Sequence, residues 1–96
     1  MQNKPYDLLN NVGVDGVITS IYPEFCFVYF ELNNWDLDIF VPNYSFDNSV
    51  YKTIKKNDII KGTVKKQLRG KHKDELILIN CEKIDLFKRS INENYN

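Results

Sequence analysis

Cysteine and histidine, the side chains that build most zinc sites and disulfide frameworks, are scarce in this sequence of 96 residues. Its two cysteines, Cys26 and Cys81, stand far apart in separate apolar runs, and His72 is its only histidine. No Cys-x-x-Cys spacing is present, so we expect neither a zinc site nor a disulfide. Both thiols are instead expected in the core, where burial keeps a cysteine unreactive.

Long apolar runs and catalytic constellations are missing as well. No stretch approaches the roughly 20 apolar residues that cross a bilayer, and residues 1–10 lack a basic segment followed by an apolar one. There is also no Ser-His-Asp set and no Gly-rich loop of the kind that cradles phosphates. We therefore expect a cytoplasmic protein without a membrane partner, catalytic residues, a bound metal or a cofactor.

The net charge of zero conceals an uneven distribution of charge along the chain. Residues 1–50 hold one lysine and seven acids, for a net charge of −6, whereas residues 51–96 hold twelve Lys or Arg and six acids, for a net charge of +6. Residues 59–73 contain no acid, and we call this segment the basic hairpin. Its cations are Lys61, Lys65, Lys66, Arg69, Lys71 and Lys73. Such a cluster either pairs with phosphates or forms a solvated surface that balances the acidic half.

The residues that are abundant favour β-structure. Hydrophobic residues make up 43% of the chain and aromatic residues 14%, which is typical of one globular domain. Short runs of β-branched and aromatic residues, broken by Pro, Gly and Asn-Asn, predict five strands over residues 14–22, 24–31, 35–41, 58–68 and 74–84. The longest connection, between the third and fourth strands, is predicted to contain a helical turn at residues 44–47. This pattern predicts an all-β fold, a five-stranded antiparallel Greek-key barrel of the OB-fold type.

The barrel is predicted to span residues 13–84, after an N-terminal extension over residues 1–12. Residues 85–96 are predicted to form a C-terminal tail that is a short helix or disordered. Because side chains alternate between the two faces of a strand, one set fills the interior and the other faces outward. The interior set is Cys26, Val28, Ile39, Val41, Val64 and Leu78. The outward set contains Phe25, Phe27 and Phe40, which we call the aromatic face.

Residues 38–46, Asp-Ile-Phe-Val-Pro-Asn-Tyr-Ser-Phe, resemble the second ribonucleoprotein motif of the cold-shock domain family. Residues 25–28, Phe-Cys-Phe-Val, stand where that family has its first motif, and residues 51–58 resemble the segment before its fourth strand. The spacing of Gly16, Ile18, Ile21, Phe27 and Val28 fits the ribosomal S-one-type RNA-binding domain equally well. The resemblance leaves the choice between these two OB-fold subfamilies open.

The resemblance implies that the protein binds single-stranded nucleic acid, RNA in preference to DNA, with low sequence specificity. By position, Phe25 and Phe27 match the two stacking phenylalanines of the first motif, and Phe40 matches that of the second. Bases would stack on these rings while the basic hairpin follows the phosphates.

An alternative is a protein–protein interaction module that kept the barrel and lost nucleic-acid binding. Thr19 and Ser20 replace the family's Lys-Trp pair, Glu24 stands where it has a glycine, and Pro42 where it has a histidine. Such a module would dock through its hydrophobic face and its acidic first half. A separate structural interpretation has the aromatic face covered by residues 5–9 or by a partner protein. The sequence does not indicate an oligomeric state.

Overall fold

The computed structural model describes residues 9–68, 70–71 and 75–84. The predicted C-terminal tail and most of the N-terminal extension lie outside these residues, as do Arg69, His72 and Lys73 of the basic hairpin.

The described chain forms five strands that close into one barrel, which confirms the predicted fold class. They are β1 (Gly13–Ile21), β2 (Phe25–Leu32), β3 (Trp35–Pro42), β4 (Ile59–Lys66) and β5 (Leu76–Ile84). Around the barrel the order is β1-β2-β3-β5-β4, and β4 pairs with β1 to complete the circle. The other pairs are antiparallel, whereas β3 and β5 run parallel because the chain crosses over between β3 and β4.

Tight turns join the first three strands. Between β1 and β2, the backbone N–H of Tyr22 donates to the carbonyl oxygen of Phe25 at 2.8 Å, so Pro23 and Glu24 form the loop. Between β2 and β3, Asn33 adopts a left-handed backbone with φ of 57°, a conformation that asparagine tolerates better than most residues. These turns set the register that places Phe27 opposite Phe40.

Alternation along the strands separates a buried set from an outward set, as predicted. All six predicted interior residues are buried, and they belong to a single hydrophobic cluster. Leu9 joins that cluster, and its carbonyl oxygen accepts from the N–H of Val12 beside β4. Leu9 therefore packs into the barrel core and does not cover the aromatic face; residues 5–8 lie outside the described residues.

The connection from β3 to β4 holds a 3-10 turn, Asn43–Ser45, and one short helix, α1 (Asn48–Tyr51). The predicted helical turn at residues 44–47 overlaps the 3-10 turn but extends too far, because Asp47 instead caps α1 by accepting from the N–H of Ser49. Ser45 is buried, and its hydroxyl donates to the carbonyl oxygen of Leu78 on β5. This bond fastens the connection across the barrel. Within the described residues, no helix is long and apolar enough to span a membrane.

Candidate functional site

Three phenylalanines meet on the outer surface where β2 lies beside β3. Phe25 and Phe27 point outward from β2, and Phe40 points outward from β3 opposite Phe27. The ring centroids of Phe25 and Phe40 lie 5.0 Å apart, and those of Phe27 lie 5.9 Å from each of the other two. All three side chains are half-buried, since each ring covers part of its neighbours. The structure therefore brings together the three residues of the predicted aromatic face.

Tyr22 adds a fourth ring that the sequence analysis did not include. The turn between β1 and β2 sets its centroid 4.8 Å from that of Phe25, with the two planes inclined by 32°. The side chain of Tyr22 is 48% exposed, which makes it more accessible than the phenylalanines behind it. We call Tyr22, Phe25, Phe27 and Phe40 the ring cluster.

A row of paired residues leads from the ring cluster to one lysine of the basic hairpin. Phe27 pairs with Phe40, Phe40 with Ile77 on β5, and Ile77 with Lys65 on β4. With strands about 4.8 Å apart, the backbone of Lys65 lies roughly 10 Å from that of Phe40. The ammonium group of Lys65 donates to the side-chain oxygen of Asn11 at 2.8 Å, on the side facing away from the rings. The backbone of Lys65 is thus next in line after Ile77, and its ammonium group would have to leave Asn11 to contact a ligand that extends beyond the rings.

Among the described cations of the basic hairpin, Lys61 lies on a different wall of the barrel from the rings. Lys61 pairs with Asp15 on β1 and Glu82 on β5, so it faces acids on the wall that β1, β4 and β5 form. Lys66 closes β4, and its backbone N–H donates to the side-chain oxygen of Asn10. Lys71 is exposed in the connection between β4 and β5, where Arg69 and Lys73 lie outside the described residues.

The opposite end of the β2–β3 surface is acidic. The hydroxyl of Tyr29 donates to Glu31 at 3.0 Å and approaches Asp36 at 3.4 Å. The hydrogen bond to Glu31 is the main reason that the pKa of Tyr29 rises to about 12, and the negative charges of both acids add to it. Asp38 lies between this end and the rings, and it accepts from the hydroxyl of Thr19 at 2.9 Å. We call Tyr29, Glu31, Asp36 and Asp38 the acidic strip.

Two open hollows flank Phe40. The larger, with a volume of about 450 Å³, is called here the Glu24 hollow, and its lining is Glu24, Phe25, Phe40, Pro42, Asn43, Tyr44 and Gln67. The smaller, of about 260 Å³, lies beside the acidic strip between β3 and the start of β5, and its lining includes Asp38 and Glu75. Gln67 and Glu75 are the two ends of the connection between β4 and β5, joined by a backbone hydrogen bond of 2.9 Å. Both ends of the connection between β4 and β5, which carries the tip of the basic hairpin, therefore lie beside the rings.

Both cysteines are buried and reduced. Burial raises the pKa of the Cys26 and Cys81 thiols to about 12, so both stay protonated and poorly nucleophilic at neutral pH. In the part of the chain that the structure describes, no group of three or more His, Cys, Asp or Glu could hold a metal ion.

Sequence reasoning missed Tyr22, Asn43, Tyr44 and Gln67 as neighbours of the rings. Tyr22 and the pair Asn43 and Tyr44 flank the strands that carry the phenylalanines, whereas Gln67 reaches the rings only because the barrel closes. One local signal was available, since Tyr44 lies inside the stretch that carries the cold-shock resemblance.

A scan against models of protein families, a search of curated proteins and a search of solved structures each returned no match. The resemblance to the cold-shock and S-one-type families remains a prediction from the motifs.

Proposed function

We propose that this protein binds single-stranded nucleic acid on the β2–β3 surface, with RNA favoured over DNA. The observation that carries the proposal is the position of the ring cluster. It lies between the turn that joins β1 to β2 and the connection that joins β4 to β5. OB-fold barrels use this surface, with these two loops at its sides, for oligonucleotides. The preference for RNA rests on the motif resemblance alone.

Stacking supplies part of the binding free energy. Each base that stacks on an aromatic ring contributes about 1–3 kcal/mol, and every base has a π-face, so the interaction tolerates different sequences. Because the phenylalanines are half-buried against one another, their contributions add incompletely. A total on the order of 3–6 kcal/mol falls short of the roughly 8 kcal/mol that a micromolar Kd requires. Phosphate contacts have to supply the remainder.

The charges beside the rings set a direction for the phosphates. The acidic strip repels them at one end of the β2–β3 surface, whereas the row through Ile77 leads toward Lys65. Lys71 is exposed in the adjoining connection, and Arg69 and Lys73 are predicted to act with it. We infer that the nucleic acid crosses the rings toward Lys65 and the tip of the basic hairpin, and avoids the acidic strip.

Equilibrium titration of labelled oligo-U and oligo-dT, each about ten nucleotides long, tests this proposal. Micromolar binding is expected near 50 mM salt, with a marked loss of affinity near 200 mM because counterions are released from the phosphates. A duplex of the same length is the control, and it is expected to bind more weakly because its bases are not free to stack. Absence of oligonucleotide binding at micromolar concentration and low salt would refute the proposal.

A second candidate function is recognition of a basic protein segment. The acidic strip favours it, and so does the edge of β3 nearby. This strand pairs with β2 along its whole length, but among the described residues it pairs with β5 only where Phe40 meets Ile77. An added strand with alternating basic and apolar residues would find backbone partners there and carboxylates for its cations.

A peptide of alternating Lys and Val tests this second candidate. Micromolar binding to the wild-type protein, lost in the Asp36→Asn, Asp38→Asn double variant, would support it. Equal binding to both proteins would show non-specific attraction and count against it.

A further inference from the structure

The Glu24 hollow combines ring surfaces with one carboxylate, Glu24, and two side-chain amides, Asn43 and Gln67. Its wall includes Phe25 and Phe40, whose centroids are 5.0 Å apart. The backbone N–H of Asn43 donates to the carbonyl oxygen of Glu24 at 2.9 Å, which fixes the β1–β2 turn against the end of β3. Glu24 and Asn43 therefore stand side by side at the rim, and Gln67 lines the same hollow from the end of β4.

We propose that the Glu24 hollow is a subsite that selects one guanine base in a single-stranded chain. This inference rests on the proposed function. The protein would then read one position of its ligand, while the remaining rings accept any base. Glu24 gives the selectivity, and the amide side chains of Asn43 and Gln67 assist it.

The donors and acceptors of the hollow match the Watson–Crick edge of guanine. That edge presents two adjacent donors, N1–H and N2–H, which a carboxylate can accept with its two oxygens, as it accepts the paired donors of arginine. It also presents the acceptor O6, to which the NH₂ group of Asn43 or Gln67 can donate. Among the described residues that line the hollow, Glu24 is the only one with a carboxylate.

The other bases meet the same carboxylate less favourably. Uracil and thymine present one donor between two acceptors, adenine presents one donor beside an acceptor, and cytosine presents one donor beside two acceptors. In each case a lone pair of the base faces an oxygen of Glu24. Because the charge of Glu24 also repels phosphate, the site gains from a carboxylate only when a base supplies two donors.

The hollow also has the apolar surfaces that a base needs. Phe25, Phe40 and Pro42 line its inner side, and Tyr44 is 73% exposed at its rim. The phenol ring of Tyr44 is free of the core, so it can turn to cover a base that has entered. A volume of about 450 Å³ leaves room for a purine together with water.

Three oligo-U strands of equal length test the inference: one unchanged, one with a single central guanine, and one with a central adenine. Titrations are performed in lithium buffer, which avoids guanine quadruplexes, with the wild-type protein and with Glu24→Gln. The wild-type protein should bind the guanine strand about 5- to 100-fold more tightly than the adenine strand. Glu24→Gln should reduce this preference to less than about twofold, since an amide accepts only one of the two donors.

Glu31→Gln is the matched control, because it removes the same charge from the far end of β2. In either variant a general electrostatic gain in affinity should apply to all three strands alike, whereas the preference for guanine should survive in Glu31→Gln. If the wild-type protein binds all three strands equally, the inference is wrong although the proposed function stands. The inference is also wrong if Glu24→Gln tightens binding to all strands alike. If no strand binds, the proposed function fails and the inference fails with it.

Discussion

Replacing Phe40 with leucine separates a ring that stacks on bases from a ring that only packs. Leucine keeps most of the apolar contact but removes the aromatic interactions with Phe25 and Phe27, at centroid distances of 5.0 and 5.9 Å. Each aromatic pair contributes about 0.5–1.5 kcal/mol beyond its buried area, and leucine recovers part of this through ordinary contact. Because Phe40 is only half-buried, we expect the free energy of unfolding to fall by about 1 kcal/mol.

The loss in binding should exceed the loss in stability. A base that stacks on Phe40 contributes about 1–3 kcal/mol, so Phe40→Leu should weaken oligo-U binding by roughly 5- to 150-fold. Urea denaturation measures the loss in stability, and fluorescence anisotropy with labelled oligo-U measures the loss in binding. Both are measured at one temperature and salt concentration, so that the two free energies can be compared directly.

Phe46→Leu is the control for this experiment. Phe46 is 5% exposed in the core, where its ring lies 5.4 Å from that of Tyr51. The substitution should cost about 1–2 kcal/mol of stability and leave oligo-U affinity unchanged while the protein stays folded. The reasoning is refuted if Phe40→Leu folds and binds like the wild-type protein, or if Phe46→Leu loses the same affinity.

Three further substitutions test separate parts of the structure. Gly16→Ala should destabilise the barrel by about 1–3 kcal/mol in urea denaturation, since the new Cβ would lie 2.6 Å from the carbonyl oxygen of Tyr29. Lys65→Gln should weaken oligo-U binding and reduce the slope of log affinity against log salt by about 0.7. Glu31→Gln should lower the pKa of Tyr29 from about 12 toward its ordinary value near 10, as measured by NMR of ¹³C-labelled tyrosine rings. Since folding raises this pKa, neutral Tyr29 stabilises the fold below pH 10, and that contribution declines as the pH rises through 12.

Each of these substitutions has an internal comparison. Gly13→Ala is the control for Gly16→Ala, because the nearest atom to its new Cβ would be 3.9 Å away. Equal losses of stability in the two variants would contradict the steric argument. Lys61→Gln is the control for Lys65→Gln, since Lys61 faces Asp15 and Glu82. If both variants change the salt dependence of oligo-U binding equally, the position of Lys65 in line with Phe40 has no special role. If the pKa of Tyr29 is the same in Glu31→Gln as in the wild-type protein, the hydrogen bond to Glu31 is not the main cause of the raised pKa.

The barrel could be predicted from the sequence because period-two alternation is a local property of the chain. Cys26 and Val28 alternate with Phe25 and Phe27 in the sequence, and the same alternation separates buried from outward side chains in β2. The turn at Asn33 also followed from local chemistry. The helix α1 was missed because it has only four residues and depends on a cap by Asp47.

The candidate site could be predicted only in part, because strand neighbours are not a local property. The basic hairpin is one run in the sequence, yet Lys61 lies against acids of β1 and β5, whereas Lys65 stands in line with Phe40. This difference arises from the crossover that puts β5 between β3 and β4. The Glu24 hollow depends on the same strand order, since Gln67, the residue after β4, lines it together with Tyr44, which follows β3.

Chemical-shift mapping by NMR tests most directly whether the ring cluster is the site of nucleic-acid binding. Unlabelled oligo-U is added to ¹⁵N-labelled protein at low salt, and the change in each backbone amide signal is followed to saturation. The largest changes are expected at Tyr22, Phe25, Phe27 and Phe40 and at the adjoining Gln67. No change at saturating oligo-U, or changes centred on the wall of β1 and β4 away from the rings, would contradict this expectation.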